Sequence, residues 1–207
     1  MLLSTAYFPP VSWFALAARG NLIAPPAIEA FESYRKQTWR NRCLIAGPSS
    51  VEMLQVPVIH DTERLISAVR IDWSTPWLVR TERCLDTCYR SAPFYDHYRD
   101  SIFGILESRP EKLFDLNLML IRYLTEKTGL NIDFAVTGSW EKDVPDDFRD
   151  VLSPKKPDTV LRDLGLDKEY YQVFSPKLGF RPGLSILDLL FNEGPESYLF
   201  LTQPTDL

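Results

Sequence analysis

Cysteine is scarce in this chain of 207 residues, and its three copies are Cys43, Cys84 and Cys88. So small and odd a number does not suit the disulfide framework of small secreted domains, and it predicts a reducing, cytoplasmic location. Cys84 and Cys88 lie four residues apart on one face of a predicted helix, but no third and fourth ligand stand beside them in the sequence. We therefore expect small core side chains there rather than a zinc site.

The chain also lacks an excess of positive charge and a long apolar run. Its 23 Lys and Arg residues against 28 Asp and Glu residues give a net charge of −5, which argues against non-specific binding to nucleic acid or anionic membranes. No apolar run approaches the roughly 20 residues that cross a bilayer. The apolar start, residues 1–20, has no basic segment before Pro9 and Pro10 interrupt it, so we interpret it as part of the fold and not as a signal peptide.

Motifs for a nucleophile or a bound cofactor are missing. The sequence contains no G-x-S-x-G elbow, no Walker A loop, no G-x-G-x-x-G and no cysteine with a clear histidine partner. Its two histidines, His60 and His97, are not spaced as a metal pair, so the sequence predicts no metal site and no cofactor. Each histidine is a candidate general base, because imidazole titrates near neutrality, and an ordinary surface histidine is the alternative reading.

Strand signals concentrate in the first third of the chain. The predicted strands are residues 2–8, either 22–24 or 27–29, the two arms of a hairpin at 43–59, 67–73 and, later, 131–137. The hairpin is indicated by two apolar runs on either side of Gly47-Pro48-Ser49-Ser50. A strand, a tight turn and a helix at the start are typical of an α/β fold.

Helical periodicity dominates the rest of the chain. The predicted helices are residues 11–19, 77–90, 94–106, 110–128, 185–191 and 195–201. Residues 139–159 are charged and rich in proline, which predicts a surface loop or mobile flap. The sequence thus predicts a single α/β domain over 1–207, strand-rich over 1–73 and mainly helical over 74–207, with a small sheet packed against several helices.

A basic cluster is the strongest sign of a binding site. The stretch SYRKQTWRNRCLI, residues 33–45, brings Arg35, Lys36, Arg40 and Arg42 together in an acidic chain. Arginine forks bind phosphate or carboxylate groups in a bidentate manner, so the cluster predicts a site for a small anionic molecule. The alternative is that these cations pair with Glu29 and Glu32 upstream or with the acidic loop 141–150.

Three further side chains complete the set of candidate site residues. Tyr7 lies near the end of the first strand, where the carboxyl edge of a sheet often binds ligands, with core packing as the alternative. Tyr34 shares a face with Lys36, Arg40 and Arg42 if this stretch is extended. Asp188 stands on the polar side of a predicted terminal helix, which either docks on the core or turns Asp188 toward the basic cluster as a catalytic group.

These stretches also carry a family resemblance. The opening LLSTAYFPPVSWF, then IEAFESYRKQTWRNRCLI, LQVPV, RIDWSTPW, YRSAPFYDHY and the closing GFRPGLSILDLLFNEGPE together resemble the WbqC-like family. The most specific piece is KQTWRNR, which matches the family at Tyr34 just before it and at Lys36, Arg40, Asn41 and Arg42 within it. Many members have a Gln-Pro step before the tyrosine, where this chain has Ser4-Thr5.

The resemblance implies a bacterial protein. The genes of some family members lie within O-antigen gene clusters, and one proposal for the family is transfer of glycine to a sugar. On this reading the protein would be an acyl or aminoacyl transferase. Its substrate, such as a nucleotide-sugar, would present a phosphate or carboxylate to Lys36, Arg40 and Arg42. His97 or an acidic residue would take the proton of the attacking amine, and Asn41 would bind the oxyanion. A non-catalytic metabolite-binding or scaffold protein of glycan assembly, and a nucleotide-handling enzyme, are the alternatives.

Overall fold

The structure is a computed structural model that describes residues 1–59 and 64–204. Its strands are β1 (Leu2–Ser4), β2 (Ala27–Glu29), β3 (Arg42–Ala46), β4 (Val51–Gln55) and β5 (Ala135–Val136). Its helices are α1 (Val11–Asn21), α2 (Trp77–Tyr89), α3 (Tyr95–Glu107), α4 (Leu113–Lys127), α5 (Val160–Asp163), α6 (Ser175–Leu178), α7 (Ile186–Glu193) and α8 (Ser197–Thr202). The predicted α/β class is confirmed, with a small sheet built mainly from N-terminal strands and most helices in the later part of the chain.

Three parallel strands in the order β1-β2-β5 form the sheet on which the candidate site is built. Parallel neighbours need a crossover connection, and α1 provides it between β1 and β2. Residues 11–17 of α1 are all buried, since the helix packs against α5, α7 and α8. Of the two predicted positions for the second strand, Ala27–Glu29 is the correct one, whereas Leu22 and Ile23 are exposed.

The first strand is shorter than predicted. β1 ends at Ser4, and the chain then leaves the sheet, so that the Tyr7 amide donates to the Trp39 carbonyl at 2.8 Å. Phe8 adopts a φ of 42° just before Pro9 and Pro10. The rings of Tyr7 and Phe8 are completely buried and lie 4.4 Å apart between centroids, so this turn belongs to the core.

The predicted hairpin is confirmed as β3 and β4. The two strands pair antiparallel from Arg42 opposite Gln55 to Ala46 opposite Val51. Its inner side chains, Cys43, Ile45 and Leu54, are buried, whereas Val51 and Met53 on the other face of β4 are exposed. This alternation follows from the two-residue period of a strand, and it gives the hairpin one core face and one outer face.

The six predicted helices are observed close to their predicted bounds, whereas the short helices α5 and α6 were not predicted. In α4, the apolar positions Leu113, Leu116, Leu120, Ile121 and Leu124 are fully buried, as their helical spacing predicts. The helix is followed by Gly129 at a φ of 76°, which only glycine adopts readily after a helix end. Within residues 1–59 and 64–204, no helix is long and apolar enough to span a membrane.

Residues 67–73 do not form the predicted strand. A 3-10 turn occupies Ile66–Ala68, and the following residues make only single bridges, Val58 with Ile71 and Arg70 with Lys112. The apolar alternation is still used, because Val69 and Ile71 are both buried. Their backbone groups bond to the approach of α4, with Leu113 N donating to Val69 O and Ile71 N to Glu111 O, both at 2.9 Å.

Gly194, at the end of α7, provides a test of this fold. Its φ is 54°, and an added Cβ would lie 2.6 Å from the Phe94 ring. We expect Gly194→Ala to lower the free energy of unfolding by about 2 kcal/mol or more, measured by urea denaturation, because strain and overlap add. The matched control is Gly104→Ala on the exposed face of α3, where a Cβ meets nothing within 4 Å. This control should stabilise by about 0.5–1 kcal/mol, and equal effects of the two changes would contradict the packing described.

Candidate functional site

Buried charged side chains gather where the parallel strands end. β1 ends at Ser4 and β2 at Glu29, and Glu32, Arg40 and Arg149 join them to form what we call the edge site. The exposed fractions of Glu29, Glu32, Arg40 and Arg149 are 0%, 4%, 4% and 9%. Charged residues are seldom buried this deeply unless they are paired, and the carboxyl edge of a parallel sheet is the usual position of ligand sites in α/β folds.

One half of the edge site is the pair of Glu32 and Arg40. Arg40 Nε donates to Glu32 Oε1 at 2.9 Å, and Arg40 Nη2 donates to Glu32 Oε2 and, at 2.8 Å, to Ser4 Oγ. Burial raises the pKa of Glu32 above its ordinary value, although Arg40 and Ser4 partly oppose the shift. The Arg40 carbonyl accepts a hydrogen bond of 2.8 Å from Asn117 on α4, so the arginine is fixed at both its backbone and its side chain.

The other half is a fork centred on Arg149. Its Nη1 donates to Glu29 Oε2 at 3.0 Å, and its Nε and Nη2 donate to the two oxygens of Asp147 at 2.9 and 2.5 Å. The guanidinium carbon lies 4.1 Å from the centre of the Trp140 ring, which covers it from outside. Glu29 is satisfied further by the Thr137 hydroxyl at 2.7 Å. Arg149 therefore joins the ends of β2 and β5 to the loop that carries it.

A small cavity lies between these two halves. It has a volume of about 20 Å³, and its walls are Ser4, Thr5, Ala6, Trp13, Trp39, Arg40, Phe148, Arg149 and Leu152. We call it the edge cavity; it has room for about one water molecule. The Thr5 hydroxyl is buried in this wall with no hydrogen-bond partner among the described residues. A buried polar atom without a partner is costly, so the cavity suits a polar guest.

The charged segment 139–159 covers the edge site. It contains no strand or α-helix, as predicted for a loop, and it continues the sheet only through bonds from Leu2 N to Asp146 O and from Phe148 N to Leu2 O, each 2.9 Å. Its outer side chains are exposed, and Arg149 is its one buried residue. Sequence reasoning missed Arg149, although a lone cation among the acidic residues 143–154 was a usable signal.

The structure divides the predicted basic cluster. Arg40 is buried, and Arg42, on β3, is half-buried, with its Nε buried and unpaired among the described residues. Lys36 is exposed, and Arg35 pairs with Asp150 on segment 139–159 at 2.5 Å in a solvent-exposed contact. Each of the two ion pairings considered for the cluster is therefore observed in part, because Arg40 pairs with the upstream Glu32 and Arg35 pairs with the acidic loop.

Tyr34, Asn41 and Tyr7 lie around this cluster with different environments. Burial raises the pKa of Tyr34 while the nearby charges of Arg42 and Arg40 lower it, which places the phenol beside both arginines. Asn41 is buried, and its Nδ2 donates to the Val56 carbonyl at 2.9 Å, which ties the base of the hairpin. Burial raises the pKa of Tyr7 well above its ordinary value, and the neighbouring Cys43 thiol adds to that shift.

Of the two histidines, His97 is described by the structure, and it is not one of the residues that form the edge site. His97 is exposed on α3, where its ring lies edge-on to Tyr98 with 4.7 Å between centroids. His60 lies outside the described residues. Among the described residues, no group of three or more His, Cys, Asp or Glu side chains is arranged to hold a metal ion.

Asp188 is fully buried, and not on a polar side of its helix as the sequence suggested. Its Oδ1 accepts from Tyr89 at 2.8 Å, and its Oδ2 accepts from Tyr170 at 2.9 Å and Gln172 at 2.8 Å. None of these partners belongs to the edge site. Burial raises the pKa of Asp188 to about 6, although the three hydrogen bonds favour the charged form. Among residues 1–59 and 64–204 the carboxylate has no positive partner, and its described hydrogen-bond donors are all neutral.

The Arg40–Glu32 pair supplies a stability prediction. Arg40→Met should lower the free energy of unfolding by about 3–5 kcal/mol at neutral pH, because it leaves the buried Glu32 carboxylate unpaired. Arg35→Met breaks the exposed pair with Asp150 and should cost at most about 1 kcal/mol. Urea denaturation of both variants measures the contrast. If Arg40→Met lowers the free energy of unfolding by no more than Arg35→Met does, the Arg40–Glu32 pair does not stabilise the fold.

Asp188 supplies a prediction about pH. Because its folded pKa, about 6, exceeds the reference value of 3.8, its contribution to stability is complete below the reference value and is lost as the pH rises through 6. The unfolding free energy of Asp188→Asn should therefore rise relative to wild type by up to about 3 kcal/mol between pH 4 and pH 7. Urea denaturation of both proteins across this range gives the difference between their unfolding free energies at each pH. The change of that difference with pH does not contain the pH-independent cost of the amide. A difference that stays flat or falls would contradict the raised pKa.

Comparison with known proteins places the chain in a family. The model of the WbqC-like protein family matches residues 5–152, a range that includes Thr5, Glu29, Glu32, Arg40 and Arg149. Neither the curated proteins nor the solved structures gave a match. The closing stretch of the resemblance, residues 179–196, lies outside the matched range. Since the match covers more than half of the sequence and contains most of the edge site, the chain belongs to the WbqC-like protein family.

Proposed function

We propose that this protein binds a small molecule carrying a phosphate or carboxylate group at the edge site, as the substrate of an acyl or aminoacyl transfer to a sugar. The observation that carries the proposal is the edge cavity, where the partnerless Thr5 hydroxyl lies in one wall with Arg40 and Arg149. Two guanidinium groups and a hydroxyl are suitable donors for an oxyanion. We further propose a cytoplasmic setting in bacterial surface-polysaccharide (O-antigen) synthesis, which rests on the family resemblance.

Entry of the ligand requires an exchange of anions. Arg149 is held by Asp147 and Arg35 by Asp150, and both carboxylates belong to segment 139–159. The cavity of about 20 Å³ is too small for a phosphate while that segment is in place. We infer that Arg149 stays bound to Glu29 while the exposed parts of the segment on either side of it move outward, and that the anionic group of the ligand replaces Asp147 beside Arg149. The positive charges of Arg40 and the half-buried Arg42 both act on Tyr34, so we further propose that Arg42 and Tyr34 assist in binding the anion.

In the proposed transfer, the amino or hydroxyl group of the sugar attacks the acyl carbon. A bond forms from the acceptor atom to that carbon, the bond from the carbon to its leaving group breaks, and the proton of the acceptor passes to a base. Within the edge site Glu32 is the acidic residue with a raised pKa, which suits it to this role. His97, Asn41 and Asp188 remain the catalytic candidates of the sequence, but the contacts described for them lie apart from the edge cavity.

The alternative function is a non-catalytic metabolite-binding or scaffold protein of glycan assembly. One observation favours it: both oxygens of Glu32 already accept hydrogen bonds from Arg40, so the carboxylate has first to give up a partner before it accepts a proton. Detection of an acylated sugar after incubation with an acyl donor and a nucleotide-linked amino sugar separates the two functions. Binding without product would favour the scaffold.

Binding of an anion provides the test of the edge site. With inorganic phosphate and a uridine diphosphate sugar as probes, Arg149→Gln should weaken binding by about tenfold or more, because one charge-assisted fork is lost. Asp147→Asn should tighten it by roughly threefold or more, because the competing carboxylate is removed. Arg122→Gln, on the exposed face of α4, is the matched control and should leave the affinity unchanged. Titration calorimetry gives the affinities, and equal values in all four proteins would refute the site.

A further inference from the structure

A second and larger concavity lies beside the start of α1. It has a volume of about 280 Å³, close to the lower end of the range of roughly 300–1,000 Å³ found for small-molecule sites. We call it the side pocket; it is enclosed by the beginning of α1, by α5, by residues 166–170 and 180–183, and by Phe200 on α8. Nothing in the proposed function so far uses it.

Three aromatic rings form the floor of the side pocket. Tyr170 meets Phe180 at 5.2 Å and 85°, and Phe200 at 5.7 Å and 72°, measured between ring centroids and planes. The Tyr170 hydroxyl is fixed by its hydrogen bond of 2.9 Å to the buried Asp188. Tyr170 is therefore held in place, whereas the half-buried Phe180 lies outside the main core cluster. A ring held in this way offers a flat apolar surface to a ligand at little entropic cost.

The rim of the side pocket carries hydrogen-bonding groups of both kinds. Arg162 and Lys168 are donors, and Asp167 and Glu169 are acceptors. The side chains of Arg162, Asp167 and Glu169 are exposed and form no hydrogen bond or ion pair with another described residue. Lys168 already donates to the Leu199 carbonyl at 3.1 Å and covers the Phe200 ring at 4.8 Å. The face of Phe200 that a ligand cation would need is therefore occupied.

The aromatic floor and the mixed rim of the side pocket together favour one class of ligand. Hydroxyl groups both donate and accept, so a polyhydroxylated ring can use carboxylates and cations on the same rim, while its C–H face packs on the aromatic floor. An anionic ligand would meet Asp158, Asp167 and Glu169 against only two cations. We propose that the side pocket binds a neutral saccharide ring, with Phe180 and Tyr170 beneath it and Asp167, Glu169 and Arg162 at its hydroxyls.

One stretch of chain contributes residues to both the side pocket and the edge cavity. Phe148, Arg149 and Leu152 line the edge cavity, and the next turn of the same stretch, from Asp158 to Arg162, lines the side pocket. Asp158 is anchored to α1 through the Ser12 hydroxyl at 2.5 Å. Both concavities are thus lined in part by α1, with Val11 at the side pocket and Trp13 at the edge cavity. The role of the bound sugar as acceptor rests on the proposed function, but its binding does not.

Saccharide binding is measured by saturation-transfer NMR with methyl glucoside, galactose and N-acetylglucosamine as probes. Wild-type protein should bind at least one of them saturably, and Phe180→Leu should weaken that binding by about tenfold, because the stacking face is lost. Asp167→Asn with Glu169→Gln should weaken it by a similar factor. Tyr171→Leu is the matched control, since this exposed ring is adjacent in sequence but does not line the side pocket. This control should bind as wild type does.

Separate probes distinguish a failure of the saccharide proposal from a failure of the anion proposal at the edge site. Phosphate binding should be kept in Phe180→Leu, and saccharide binding should be kept in Arg149→Gln. The inference is overturned if no saccharide binds the folded wild-type protein, or if Phe180→Leu and Tyr171→Leu bind equally. Saturable binding of choline or a nucleoside that Phe180→Leu abolishes, with no saccharide binding, also overturns it, because the pocket would then serve another class of ligand.

Discussion

Arg40 and Glu32 hold opposite charges in the interior at the point where β1 and β2 end, and the surrounding structure is arranged around that pair. Ser4 at the end of β1 bonds to the Arg40 guanidinium, and Asn117 on α4 bonds to the Arg40 carbonyl. The pair thus connects the end of β1 to α4. A buried ion pair is worth little to stability compared with apolar packing, because both charges lose their hydration. Its position at the carboxyl edge is better explained by a need for charge there.

Arg149 adds a second charge to this interior from a different part of the chain. It comes from segment 139–159, which touches the sheet through few bonds and buries only this one residue. Segments with few buried contacts open at low free energy compared with the core. The edge site is therefore built half on rigid strands and half on a loosely held segment, which is the arrangement expected of a site that must admit a ligand.

Local patterns were enough to predict much of the fold. The apolar spacing of α4 and the paired runs of the hairpin specify their elements without help from distant residues, and both are observed near their predicted bounds. Residues 67–73 show where this fails. Their alternation is present, since Val69 and Ile71 are buried, but their backbone partners are divided between residues 57–59 and the chain before α4, and no local pattern reveals that division.

The site was harder to predict because its contacts join distant residues. Arg149 pairs with Glu29, 120 residues earlier in the chain, and nothing near either residue indicates the other. Asp188 was misplaced for a related reason. A lone carboxylate among Ile and Leu suggests a solvent-facing position, yet α7 is buried all round by α1, α3, α8 and β3. Its charge is satisfied by Tyr89, 99 residues earlier, so only the tertiary structure explains it.

In the proposed chemistry the edge site binds the charged group of the ligand and the side pocket binds the sugar ring. Charged recognition at the edge site depends on Arg149 exchanging Asp147 for a ligand, which the low dielectric of a buried site strengthens. Ring recognition at the side pocket depends on Tyr170, which the buried Asp188 holds in place. Because segment 139–159 forms part of both walls, outward movement that admits an anion also alters the side pocket. Occupation of one concavity should therefore change the affinity of the other, by the reciprocity that any shared structural element imposes on two binding sites.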